Sequence, residues 1–292
     1  MVSKTSISSA SMLALSAMQL VSSALADAET CANDTPLSCS SSTIEPSCCF
    51  NSPGGAFLLT QFWDYDPVTG PSDSWTIHGL WPDNCDGSYE EFCDESREYS
   101  NITSILQESG STELLSYMEE YWKDYSGDDE SFWEHEWNKH GTCINTIEPS
   151  CYTDYTPQEE VVDYLQKAVD LFKTLDSYKA LSAAGITPSN SKTYTLDEIH
   201  EALGDIHDGY APYVSCDGDN LNEIWYFYYV RGNLITGAFE PSEKLTESNC
   251  PETGIKYVPK EGQKSTTPSV TATPTSTPTA IPSPSSSSCK AH

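Results

Sequence analysis

Three of the chain's six histidines fall in two short segments crowded with aromatic residues. One segment is Phe132-Trp133-Glu134-His135-Glu136-Trp137-Asn138-Lys139-His140-Gly141-Thr142-Cys143, which holds two imidazoles, a carboxylate and an ammonium within six positions. The other is Trp75-Thr76-Ile77-His78-Gly79-Leu80-Trp81-Pro82. Scarce titratable groups placed among large rings point to acid–base chemistry. One imidazole would take a proton from a nucleophile and another would protonate a leaving group. Lys139 and Glu136 would flank the centre where charge develops.

Read as a helix over 129–140, with roughly 100° between successive residues, the segment sets Glu136 and His140 at i, i+4 with Lys139 between them. His135 and Lys139 are also i, i+4, and Trp133, Trp137 and Phe132 are left to anchor the other side. A solvated face of ion pairs is the plain alternative. Two features weigh against it: the aromatic flanks, and the position of Lys139 as the only base between Lys123 and Lys167. A zinc helix is a poorer match. His135 and His140 are five apart, about 140° around a helix, where the His-Glu-x-x-His motif needs four. No cysteine pair has the C-x₂-C spacing of a structural zinc site either, so neither metal nor cofactor is expected. Phosphodiester cleavage of RNA suits the set. The 2′-hydroxyl is an internal nucleophile, so no serine or cysteine nucleophile is required, and Lys139 could face the phosphorane oxygens.

Several elements must hold these groups. Ala56 to Trp63 reads as a buried strand after the turn at Pro53-Gly54-Gly55. Ile224 to Val230 is a strong strand by β-propensity. Arg231-Gly232-Asn233 should turn into a return strand over Leu234 to Phe239. Helices are expected at 112–123, 129–140 and 157–183, and a shorter one from Leu196 to Leu203. The long helix should open at Thr156-Pro157-Gln158-Glu159, with Thr156 as a cap and proline in the first turn. Strands and helices do not alternate, which favours an α+β domain with a central, mainly antiparallel sheet packed by several helices.

The first 26 residues resemble an export signal: Lys4, an apolar stretch from Met12 to Leu20, and Ala24-Leu25-Ala26 before Asp27. No stretch is long and apolar enough for a membrane span. Residues 27–262 have the composition of one folded domain. Residues 263–292 carry a Ser/Thr/Pro tract from Ser265 to Ser288 that cannot bury apolar area. Ten of the eleven cysteines lie between residues 31 and 250, which suits an oxidising compartment and five bridges of undetermined pairing. Asn33 and Asn101 head glycosylation sequons. The formal charge is −30, from 44 acids against 14 bases. That excludes a strongly basic nucleic-acid binder at neutral pH. It fits either simple solubility or work at acid pH, where carboxylates lose charge and exposed histidines gain it.

The two aromatic segments resemble the active-site segments of the ribonuclease T2 family, in particular its secreted fungal members, and the likeness extends over roughly residues 30–255. The resemblance implies a metal-independent endoribonuclease acting on single-stranded RNA, with low base specificity and an acid optimum. His140 would be the base on the 2′-hydroxyl, His78 the acid for the 5′-leaving oxygen, Glu136 and Lys139 the groups at the pentacoordinate phosphate, and His135 a phosphate-binding residue. The products would be a 2′,3′-cyclic phosphate and then a 3′-phosphate. Trp81, Asp83 and Tyr89 stand where the family seats a base, although Trp81 could equally pack in the core and Asp83 could be a turn residue. The resemblance also implies the bridges Cys31–Cys49, Cys39–Cys85, Cys48–Cys151, Cys93–Cys143 and Cys216–Cys250, with Cys289 unassigned. His200 and His207 read as surface or packing residues. The chain is expected to be a secreted or vacuolar monomer. A secreted effector on the same fold, with incidental catalysis, is the alternative.

Overall fold

A computed structural model describes residues 28–260. The expected leader, the Ser/Thr/Pro tract, Cys289 and His292 lie outside the described residues. The strands are β1 (Ala56–Phe62), β2 (Thr76–Asp83), β3 (Tyr194–Thr195), β4 (Tyr213–Asp217), β5 (Asn220–Arg231), β6 (Ala238–Pro241) and β7 (Thr253–Ile255). The α-helices are α1 (Ile102–Glu108), α2 (Thr112–Tyr121), α3 (Asp129–Lys139), α4 (Glu159–Thr174), α5 (Ser177–Ala183) and α6 (Leu196–Gly204). β2, β1, β5 and β4 form an antiparallel sheet in that order, with β6 also paired to β5, and β3 pairs with β7. The α+β class expected from the sequence is the class observed.

Alternation along the strands divides the sheet into two faces. Phe57 and Leu59 of β1, Ile77 and Leu80 of β2, and Ile224, Tyr226 and Tyr228 of β5 join the main core with Val161, Leu165, Ala168 and Val169 of α4. The other face carries Leu58, Tyr213 and Phe227 with Trp81 and Trp225 against them. β2 does not alternate strictly. Its register against β1 slips between Thr60 and Gln61, which pair with Gly79 and Ile77 and leave His78 as the extra residue of a bulge. A bulge re-aims side chains. Here it lets His78 and Trp81, three positions apart, share the face away from the helices.

The observed elements correct several expectations. The helix expected over 157–183 is two, broken at Leu175 and Asp176, and the Asp176 side chain accepts from Lys179 N–H to start α5. Thr156 does not cap α4. Gln158 takes the N-cap position with φ of 72°, and the Glu159 carboxylate instead accepts from Thr156 N–H at 2.8 Å. The return strand starts at Ala238 rather than Leu234, because Asn233 Oδ1 accepts from Thr236 N–H and winds the intervening residues into a turn. α1, β2, β3, β4 and β7 were not anticipated as separate elements. β2 escaped notice because its bulge breaks the period of two.

All five bridges implied by the resemblance are formed. Cys39–Cys85 closes on the chain just past β2, and Cys93–Cys143 on the chain just past α3. Residues 85–93, which carry Tyr89, are therefore pinned at both ends. No helix among the described residues is long and apolar enough to cross a membrane.

Candidate active site

A cleft of about 360 Å³ opens on the face of the sheet away from α4, and His78, Trp81, Asp83, Tyr89, His135, Glu136, Lys139 and His140 all line it. Every site residue singled out from the sequence is therefore brought to one place, from β2, the loop after it, and α3 with its C-cap.

α3 is held by its aromatic side, as expected. Trp133 Nε1 donates to Trp122 O at 2.9 Å and Trp137 Nε1 to Arg97 O at 2.7 Å. Asp128 caps the helix start, its carboxylate accepting from Ser131 N–H. The helix ends at Lys139, and His140 is its C-cap, donating its N–H to Glu136 O at 3.1 Å. A tight turn over Gly141–Cys143 follows. A Cβ on Gly141 would strike the Trp137 ring, so glycine allows this sharp exit. His135 and His140 nevertheless both line the cleft.

Glu136 is fully buried at the floor of the cleft. Its Oε2 accepts from Trp81 Nε1 at 2.8 Å, and its Oε1 lies 3.5 Å from His78 Nε2 with no hydrogen-bond partner among the described residues. This approach depends on Gly79, where a Cβ would collide with Glu136 Oε2 and stand 2.7 Å from Trp81 Nε1. Trp81 in turn joins the two key imidazoles. The His140 ring stacks on it at 5.0 Å, and the His78 ring meets it edge-on at 4.7 Å. Lys139 Nζ lies 3.7 Å from Glu91 and 5.8 Å from the centre of the Tyr89 ring. Tyr89 is 58% exposed at the rim.

Burial sets the protonation states. It pushes the Glu136 carboxyl up to about 7, against the pull of His78, Trp81 and Lys139. It pushes Asp83 up to about 7 against the pull of Lys139. Burial, reinforced by the cations of Lys139, His78 and His135, pushes His140 down to about 2. His135 is lowered as well, by burial and then Lys139 and His78. In acid the cleft therefore presents neutral carboxyls and a neutral His140 imidazole.

Sequence reasoning missed four contributors. Glu223 of β5 lies 2.6 Å from His78 Nδ1. Phe62 stacks on the His78 ring at 3.9 Å. Trp225 and Phe227 line the cleft, and Trp225 Nε1 is buried without a partner among the described residues. The pattern of β5 could have marked Glu223 as a carboxylate beside the apolar run from Ile224 to Val230. Its partner, 145 positions away, could not be read from it. His207 is buried against the edges of Tyr226 and Tyr228 at 5.1 and 4.9 Å, a packing residue as expected.

An antiparallel sheet with a bulged histidine, facing a helix end that supplies a second histidine, defines a nuclease-like acid–base cleft. The family model for the ribonuclease T2 family matches residues 54–250, and the chain belongs to that family. It is similar to ribonuclease T2 of Aspergillus oryzae, with 67% identity over 256 residues that cover 87% of this chain and 93% of that protein. It is 67% identical to ribonuclease M of Aspergillus phoenicis over 234 residues, 80% of this chain and 98% of that one. Among solved structures, that of Actibind, a T2 ribonuclease, matches with a TM-score of 0.79 at 67% identity, covering 80% of this chain and 100% of that chain.

Proposed function

We propose that this chain is a metal-independent endoribonuclease that cleaves single-stranded RNA by attack of the 2′-hydroxyl on the adjacent phosphorus. Its membership of the T2 family supports the activity. The observation that carries the residue assignment is the seating of His78 and His140 against one indole, Trp81, with Glu136 and Lys139 beside them.

His140, kept neutral by its surroundings, takes the 2′-hydroxyl proton as O2′ bonds to phosphorus. A bound phosphodiester offsets the cationic repulsion at His140 and raises its basicity at the moment it is needed. Lys139 faces the non-bridging oxygens. Glu136, protonated in acid, donates a hydrogen bond to the phosphorane. His78 Nε2–H protonates O5′ as the P–O5′ bond breaks, giving a 2′,3′-cyclic phosphate. In the slower second step His78 takes a proton from water, and His140 returns one to O2′ to give a 3′-phosphate. His135, exposed at the rim, attracts the phosphate. The base lies between Trp81 and Tyr89, and Asp83 bonds to its edge. Base–aromatic stacking of about 1–3 kcal/mol tolerates every base, which supports low specificity.

The five bridges, the leader pattern and the exposed Asn33 and Asn101 support an exported or vacuolar glycoprotein. A cleft lined within one chain supports action as a monomer. The test is digestion of homopolymer RNAs and DNA with EDTA present, followed by end-group identification. Transient 2′,3′-cyclic ends, final 3′-phosphates and intact DNA are expected. 5′-phosphate products, or activity lost to EDTA, would overturn the reading.

A further inference from the structure

We propose that Glu223 is a positioning residue for the cleavage step, fixing the tautomer and ring direction of His78. The inference rests on the endoribonuclease reading above. Glu223 stands opposite Phe62 in the β1–β5 register, two strands from His78, and reaches over β1 to meet it. Its Oε1 is 2.6 Å from His78 Nδ1, and the residue is 8% exposed. The rest of the His78 setting leaves the ring one orientation. Phe62 stacks on it at 3.9 Å with 22° between planes, and Trp122 Nε1 donates to His78 O at 2.9 Å. Glu136 Oε1 lies 3.5 Å from Nε2 on the cleft side.

A carboxylate at Nδ1 accepts the N–H there, which makes Nε2 the atom that exchanges protons with substrate. In cleavage the Nε2 proton passes to O5′ as the P–O5′ bond breaks. The ring is then neutral, with Nδ1–H still on Glu223 and a lone pair at Nε2. In hydrolysis that lone pair takes a proton from water, and the imidazolium is restored. One tautomer thus serves both steps without a ring flip. A buried ion pair kept only for folding would predict none of this.

The test uses two substrates that differ only in the leaving group. A dinucleoside phosphate expels a 5′-alkoxide that needs a proton, whereas a nucleoside 3′-(4-nitrophenyl phosphate) expels a phenolate that does not. Glu223→Gln should lower kcat on the dinucleoside by roughly 10²-fold, with KM changed less than about threefold. On the nitrophenyl ester it should lower kcat less than about threefold. Glu223→Asp should recover part of the loss, and it serves alone if the Gln variant does not fold. Equal losses on both substrates would mark Glu223 as merely structural, and no loss on either would also overturn the inference. Failure of the wild type to cleave the dinucleoside would remove the nuclease reading itself, a different result from an active wild type with an undiminished variant.

Discussion

The two faces of the β2–β1–β5 ribbon use alternate residues of the same strands, and each holds a buried histidine. On the helix side, His207 is 1% exposed, lies edge-on to two tyrosines, and its Nδ1 lies 3.2 Å from Tyr210 O. On the cleft side, His140 is 5% exposed and lies on Trp81 beside Lys139. Burial lowers both imidazoles. Desolvation therefore does not separate the histidine proposed to react from the one packed in the core. What separates them is company and access: His207 faces neutral rings, whereas His140 shares a solvent-reaching cleft with a cation, a second imidazole and a buried carboxyl.

The largest test of that contrast exchanges the two histidines' fates. His140→Ala should cost kcat on RNA about 10²–10⁴-fold while leaving the thermal midpoint nearly unchanged. His207→Ala should do the reverse, losing about 1–3 kcal/mol of stability by denaturant titration with kcat within about twofold. Loss of activity in both, at equal fold content by circular dichroism, would break the comparison. Lys139→Ala should come next, about 10²-fold down in kcat, because it removes the cation beside the phosphorane.

The pH profile sharpens the same point. Glu136 and Asp83, each raised to about 7, are neutral below that value and anionic above it. Rising pH thus adds negative charge around a phosphate, so kcat/KM should fall as pH climbs past 7. Glu136→Gln, which cannot ionise, should flatten the fall. A profile still rising above pH 8 in the wild type would count against both assignments. Smaller still, Asp83→Asn should shift relative rates among homopolymer RNAs by about 1–3 kcal/mol with little change in their sum. Removing residues 263–292 should leave kcat on a dinucleoside within about twofold.

Much of the site was legible because its chemistry is local. His135, Glu136, Lys139 and His140 lie within one helical turn and its cap, and helical spacing alone groups them. The rings of Trp133 and Trp137 marked the side that must be buried, and they do anchor α3. Elements with a steady period, such as α2, α6 and β5, were also found, although their ends shifted. Reading failed where period or propensity was overruled. The β2 bulge hid a strand, Asp176 divided one apolar run into two helices, and Asn233 turned residues whose propensity favours a strand.

The sequence by itself determined the class of fold and grouped the candidate reacting residues, because composition and short-range spacing carry that information, whereas the cysteine pairs came only through the family resemblance. Only the tertiary structure decided how those groups are tuned. The hydrogen bond from Trp81 to Glu136 joins residues 55 positions apart, and the contact of Glu223 with His78 joins residues 145 apart. Such distances are set by how strands register and how helices pack, and desolvation exists only once that packing has excluded water.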